Sequence, residues 1–182
     1  MATNPLEDLR AVHEGEYFSK RDRELIEQLR HKVKVESATR DLEASGLEDH
    51  ALAEDLAELG IDALNLPILH LVPLVQVGWA SGAVEPAERV LLQMAARQMG
   101  VDEKHVAWPT FEGMLNSRPK PELYKAALAY IAAVVPPSSR HSLLDTARSV
   151  ADATGGLFGF LGNVEQAERD ILAEIADKLG VD

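Results

Sequence analysis

The chain has no cysteine among its 182 residues, which excludes disulfides, thiolate metal centres and cysteine nucleophiles. Aromatic residues make up only 5% of it. Strand signals are nearly missing, because period-2 alternation and β-branched runs are rare. Long apolar runs are missing too. The longest uncharged stretch, Leu66 to Val84, is interrupted by Pro67, Pro73, Gly78 and Gly82 and is too broken to span a bilayer. At the amino end, MATNPLEDLR carries acids and Pro5 where a signal peptide would have its apolar segment. These absences predict a soluble cytoplasmic protein without a transmembrane segment. Positive charge is also short: 18 Lys and Arg stand against 30 Asp and Glu, a formal charge of −12. An acidic surface repels a phosphate backbone, so nucleic acid is not an expected partner.

The charge is unevenly placed. Residues 20–40 carry Lys20, Arg21, Arg23, Arg30, Lys32, Lys34 and Arg40, whereas residues 41–65 hold eight acids and no Lys or Arg. Two readings are open: the segments are complementary faces packed side by side, or the acidic block gathers cations or a basic partner. The first is the simpler expectation.

Helix signals fill the rest. A first helix is predicted from Pro5 behind Asn4 to about Tyr17, and Ser19 is read as the cap of a second. The apolar positions of that second helix, Leu25, Ile26, Leu29 and Val33, follow the i, i+3, i+4 rule. A short helix is expected from about Glu48 to Leu59. LPILHLVPLVQVGWAS, apolar all round, reads as the central buried helix, kinked at Pro73. Further helices are expected at 85–99, within WPTFEGMLNSRPKP, at 122–135, at about 140–153 behind Ser138 or Ser139, and at 165–179. The fold class is therefore all-α, a compact bundle of about eight helices.

Two of these helices are nearly one sequence written twice. Residues 84-VEPAER-89 and 164-VEQAER-169 open runs that close on Gly100-Val101-Asp102 and Gly180-Val181-Asp182. At an offset of 73 the preceding helix ends, 79-WASG-82 and 152-DATG-155, also match, and the second turn carries an insertion. This pattern predicts two pseudo-symmetric helical hairpins. Most shared residues have a structural reading. Glu85 with Arg89 and Glu165 with Arg169 stand at i, i+4. Pro86 suits the first helical position, and Glu88 and Glu168 lie near the third, where a carboxylate meets free amides. Gly100 and Gly180 are read as left-handed caps with Val101 and Val181 folded back, an ending that Leu59-Gly60-Ile61-Asp62 repeats.

An apolar helix, a small-residue turn and a Glu-opened helix that ends in Gly resemble the TerB-like domain, named for a tellurite-resistance protein. Here the pattern reads 75-VQVGWASGAVEPAERVLLQMAARQMGVD-102, and residues 147–182 look like a divergent copy. The resemblance covers residues 66–182, with 1–65 as an added amino-terminal arm. It implies an all-helical fold of two related halves, an acidic surface, divalent-metal binding, and roles in stress response or as an interaction module. It implies no established enzyme. The metal ligands it implies map to Glu85, Glu88, Glu165 and Glu168. The family's Asp is replaced by Ser81 and, in the second half, by Thr154. Asp152 lies one register earlier and substitutes only if the turn is shifted. A hydroxyl in place of a carboxylate removes charge that a hard cation needs, so the structural reading of these glutamates is favoured over a divalent-cation site.

Catalytic motifs are missing. The histidines, His13, His31, His50, His70, His105 and His141, form no HExxH. No GxSxG elbow occurs, and the glycines of 155-GGLFGFLG-162 are followed by no GK[ST]. His70, within the apolar helix, reads as a core residue. The inserted 155–162 loop concentrates Leu157, Phe158, Phe160 and Leu161. It reads either as a plug between hairpins or as an apolar finger for a protein partner; its acidic neighbours disfavour a membrane surface. The sequence thus predicts a non-catalytic, TerB-like binding or scaffolding module without a cofactor, with a metal-binding stress protein as the alternative.

Overall fold

One helix opens the chain where the sequence predicts two. The computed structural model describes residues 5–155 and 166–181, with side chains over 20–152 and 166–181. Its first element, α1 (Pro5–Ala44), runs through Gly15 and Ser19 without a break. A single interior Gly costs only about 1 kcal/mol against Ala. The surrounding Glu, Lys, Arg and Leu are good helix formers, so no stop is imposed.

Among the described residues there are eight α-helices, one 3₁₀ helix and no strand, so the fold is all-α. After α1 come α2 (His50–Glu58), the 3₁₀ helix Leu66–His70, α3 (Val72–Gly78), α4 (Pro86–Gln98) and α5 (Trp108–Asn116). The chain continues with α6 (Pro121–Val134), α7 (Pro137–Gly155) and α8 (Gln166–Leu179). No helix is long and apolar enough to cross a membrane among the described residues.

The prolines set several boundaries. Pro73 does not kink one long helix. The apolar stretch is instead divided into the 3₁₀ helix and α3, with Pro73 in the first turn of α3, where its missing amide is not needed. Pro137 likewise begins α7, so Ser138 and Ser139 lie inside the helix rather than capping it. At the end of α7 the chain is still helical over 152–155, while its counterpart 79–82 forms a turn. The expected match of two small-residue turns is therefore not met.

Contacts divide the chain into two units, Met1–Ser37 and Ala38–Asp182. In the second, α3 is the central element. Val72, Leu74, Val75 and Val77 are wholly buried, and α3 packs against α4, α5, α6, α7, α8 and the 3₁₀ helix. The helix pairs α3–α4 and α7–α8 each pack internally, and α4 also meets α7 as α3 meets α8. The acidic helix α2 lies on α6. In the first unit, the described side chains are those of α1 from Lys20 to Ser37. Nearly all are exposed, Val35 being the buried exception.

The repeated helix endings form as their glycines predict. The Val101 amide donates to the Ala96 carbonyl at 2.8 Å and the Gly100 amide to the Arg97 carbonyl at 3.0 Å, the Schellman pattern. Val181 with Ala176 and Ile61 with Leu56 repeat it at 3.0 and 2.9 Å. Leu47 with Leu42, at 3.3 Å, makes a fourth copy that the sequence reading does not include. Val101, Val181, Ile61 and Leu47 are all buried. Each ending therefore turns its chain and adds one apolar side chain to the core.

Candidate functional site

The helix-opening glutamates are the first place where chemistry was expected. Glu85 is the N-cap of α4 and is exposed, while Glu88, at the third helical position, is fully buried. The Glu88 carboxylate accepts the Glu85 amide at 2.7 Å, the returning half of a capping box. Gly78 of α3 makes room for this arrangement. A Cβ there would stand 3.3 Å from the Leu92 methyl, 3.6 Å from Val84 and 3.8 Å from the Glu88 carboxylate. Glu168 has the same position in α8 and is 1% exposed. These buried carboxylates sit in the first turns of their helices, where the opening amides have no partner within the helix.

The structure does not assemble these residues into a metal cage as far as they are described. Asp152 is exposed within α7. Glu165 lies outside the described residues. Ser81, in the turn between α3 and α4, donates its hydroxyl to the Ala83 carbonyl at 3.0 Å and so closes the turn. Among the described residues, no three His, Asp or Glu side chains are grouped to hold a metal ion. Leu157, Phe158, Phe160 and Leu161 also lie outside the described residues.

Arg89 corrects one expectation. It reaches across to α5 instead of back to Glu85, placing Nη1 3.4 Å from Glu112 and donating from Nη2 to the Leu115 carbonyl (3.0 Å) and the Asn116 side chain (2.8 Å). Gln93 adds a bond to Glu112 at 2.7 Å, and the Trp79 indole donates to the Met114 carbonyl at 2.8 Å. Arg140, near the start of α7, donates to the carbonyls of Ala132 (2.7 Å), Val135 (2.8 Å) and Leu179 (3.0 Å). One guanidinium thereby supplies donors to the ends of both α6 and α8, whose last carbonyls have no partner within their own helix. Only the proline-rich break before Arg140 hints at this role in the sequence.

His70 is half-buried and meets Tyr130 edge to face at 5.8 Å between ring centres. Burial lowers its pKa, since desolvation disfavours the imidazolium. Tyr130 is raised by the same cause. On α6, the Tyr124 hydroxyl stands 3.4 Å from Glu174 and is pushed up by burial first and by the Glu174 charge second. Burial thus favours the neutral imidazole of His70, but it is partial, short of the core position that the apolar context of the sequence suggests.

The exposed apolar face of α1 carries more weight as a site. Leu25 is 48% exposed, Ile26 47%, and Leu29 and Val33 62% each. In a soluble chain, amphipathic spacing normally marks a buried stripe. Here the stripe faces solvent, and Ile26, Leu29 and Val33 line a shallow groove with Arg30, Lys34 and Ser37. Exposed apolar residues clustered in one place, with a polar rim, mark interaction surfaces. The sequence shows the periodicity of this stripe but not its exposure.

Compared with known proteins, the chain matches no family model, no curated protein and no solved structure.

Proposed function

We propose that the protein is a non-catalytic helical binding or scaffolding module of the TerB-like kind, working in the cytoplasm. The observation that carries this reading is the solvent-facing stripe Leu25, Ile26, Leu29 and Val33 on α1. Four apolar side chains within about two and a half helical turns gain by being covered, at roughly 25 cal/mol for each Å² removed from water. The reading draws further support from the local duties of the glutamates. Glu88 is engaged in opening α4, and Glu168 stands at the matching position of α8. The reciprocal packing of α3 on α8 and α4 on α7 supports the duplicated hairpin that underlies the resemblance.

The test is a pair of alanine substitutions, Leu29→Ala with Val33→Ala, followed by thermal melting. Truncating a packed leucine costs about 2–5 kcal/mol, whereas an exposed one costs little and Ala is the better helix former. An unchanged or slightly raised Tm is expected. A fall of several degrees would show that the stripe is part of the packed core and would end this reading.

A further inference from the structure

We infer that the α1 face docks an acidic amphipathic helix of a partner protein, a conclusion that rests on the binding-module reading above. At about 100° per residue, Leu25, Ile26, Leu29 and Val33 share one side of the helix. Arg23, Arg30 and Lys34 stand on one shoulder of this stripe, and Arg21 and Lys32 on the other. Residues 20–37 carry six Lys and Arg against four Asp and Glu, in a chain whose formal charge is −12. The groove itself has this mixed character, with Arg30 and Lys34 beside Ile26, Leu29 and Val33.

Each other occupant meets a physical objection. A second copy laid stripe to stripe, parallel or antiparallel, brings basic shoulders against basic shoulders, and like charges across an interface oppose association. An anionic bilayer would meet Asp22 and Glu36, which lie on the line of the stripe one turn beyond its two ends. A nucleic acid would satisfy the shoulders but leave four apolar side chains in water. A helix with leucines on one face and glutamates flanking them satisfies both parts: its apolar face covers the stripe, and its carboxylates meet Arg30 and Lys34, which border the stripe. The pairing is helix against helix, with apolar anchors for affinity and charges for orientation and rate.

The experiment uses the full chain and a fluorescein-labelled synthetic helix. Its probe carries leucines at i, i+3, i+4 and i+7 with glutamates on both flanks, and its control carries lysines on the flanks. Anisotropy titration should show binding of the acidic helix at least about tenfold tighter than the control. That binding should weaken as salt rises and should be lost in Arg30→Glu with Lys34→Glu and in Leu29→Asp, each variant keeping its helical circular dichroism. No binding, equal binding of both helices, dimerisation through the stripe in sedimentation, or uptake by phosphatidylserine vesicles in place of the peptide would overturn the inference. The two proposals fail separately. A destabilised Leu29→Ala/Val33→Ala protein removes the exposed face itself. A stable one that ignores the acidic helix removes only the partner's chemistry.

Discussion

His70 is the residue whose environment most directly predicts a measurable response. Its imidazole loses its ordinary pKa of 6.5 to a lower one on folding because it is buried beside Tyr130. The unfolded chain therefore binds a proton first as pH falls. This contribution to stability is complete above 6.5 and is lost as pH drops toward the folded value. Denaturant unfolding at about pH 7.5 and about pH 5.5 should show a larger loss for the native chain than for His70→Gln, which has nothing to titrate there. Parallel losses would mean that folding leaves the His70 pKa where it is in the unfolded chain, and a smaller loss in the native chain that folding raises it. The residues legible from sequence alone were those with local partners. Glu88 meets an amide three residues away, and Val101 meets a carbonyl five residues back. Arg89 and Arg140 were not legible in this way. Glu112 is 23 positions from Arg89, and Leu179 is 39 from Arg140, so only the packed helices define these pairs.

At the scale of the element, glycine shows how backbone conformation sets the sign of one substitution. Gly100 ends α4 at φ 83°, in the left-handed region, with nothing within 4 Å of where a Cβ would stand. Gly100→Ala therefore meets no clash, only the left-handed penalty of about 1–2 kcal/mol. Gly113 lies exposed within α5 and has the same open space without the positive φ. Gly113→Ala should stabilise by about 0.5–1 kcal/mol, the usual gain of Ala over Gly in a helix. Urea unfolding of the two variants checks both signs, and a loss at Gly113 or a gain at Gly100 would contradict this account. The helix expected from about Glu48 to Leu59 formed to within two residues as α2, with Asp49, a cap the sequence reading does not name, accepting the Leu52 amide at 3.1 Å. Boundaries slipped where two signals competed. Ser19 is a good cap residue, yet the helix formers on both sides carried α1 straight through it. The 152–155 stretch likewise stays helical at the end of α7, although 79–82, its sequence match, is a turn.

For the molecule as a whole, the all-α class was readable because helix periodicity and the lack of strand patterning agree over the full length. The use of each apolar face was not readable in the same way. Val72, Leu74 and Val75 of α3 and Leu25, Leu29 and Val33 of α1 are similar residues at helical spacing. Packing buries the first group completely and leaves the second in solvent. Exposure depends on what the rest of the chain covers, and no local pattern records that. Stability accordingly resides in the core of residues 38–182, and the proposed recognition on the α1 face between residues 21 and 37. The most direct test is amide hydrogen exchange on the full chain, with and without the glutamate-flanked leucine helix. Added protection confined to residues 21–37, with α4 and α8 unchanged, is the predicted result. Protection appearing at the glutamate-opened helices α4 and α8 while residues 21–37 stay unaltered would contradict it.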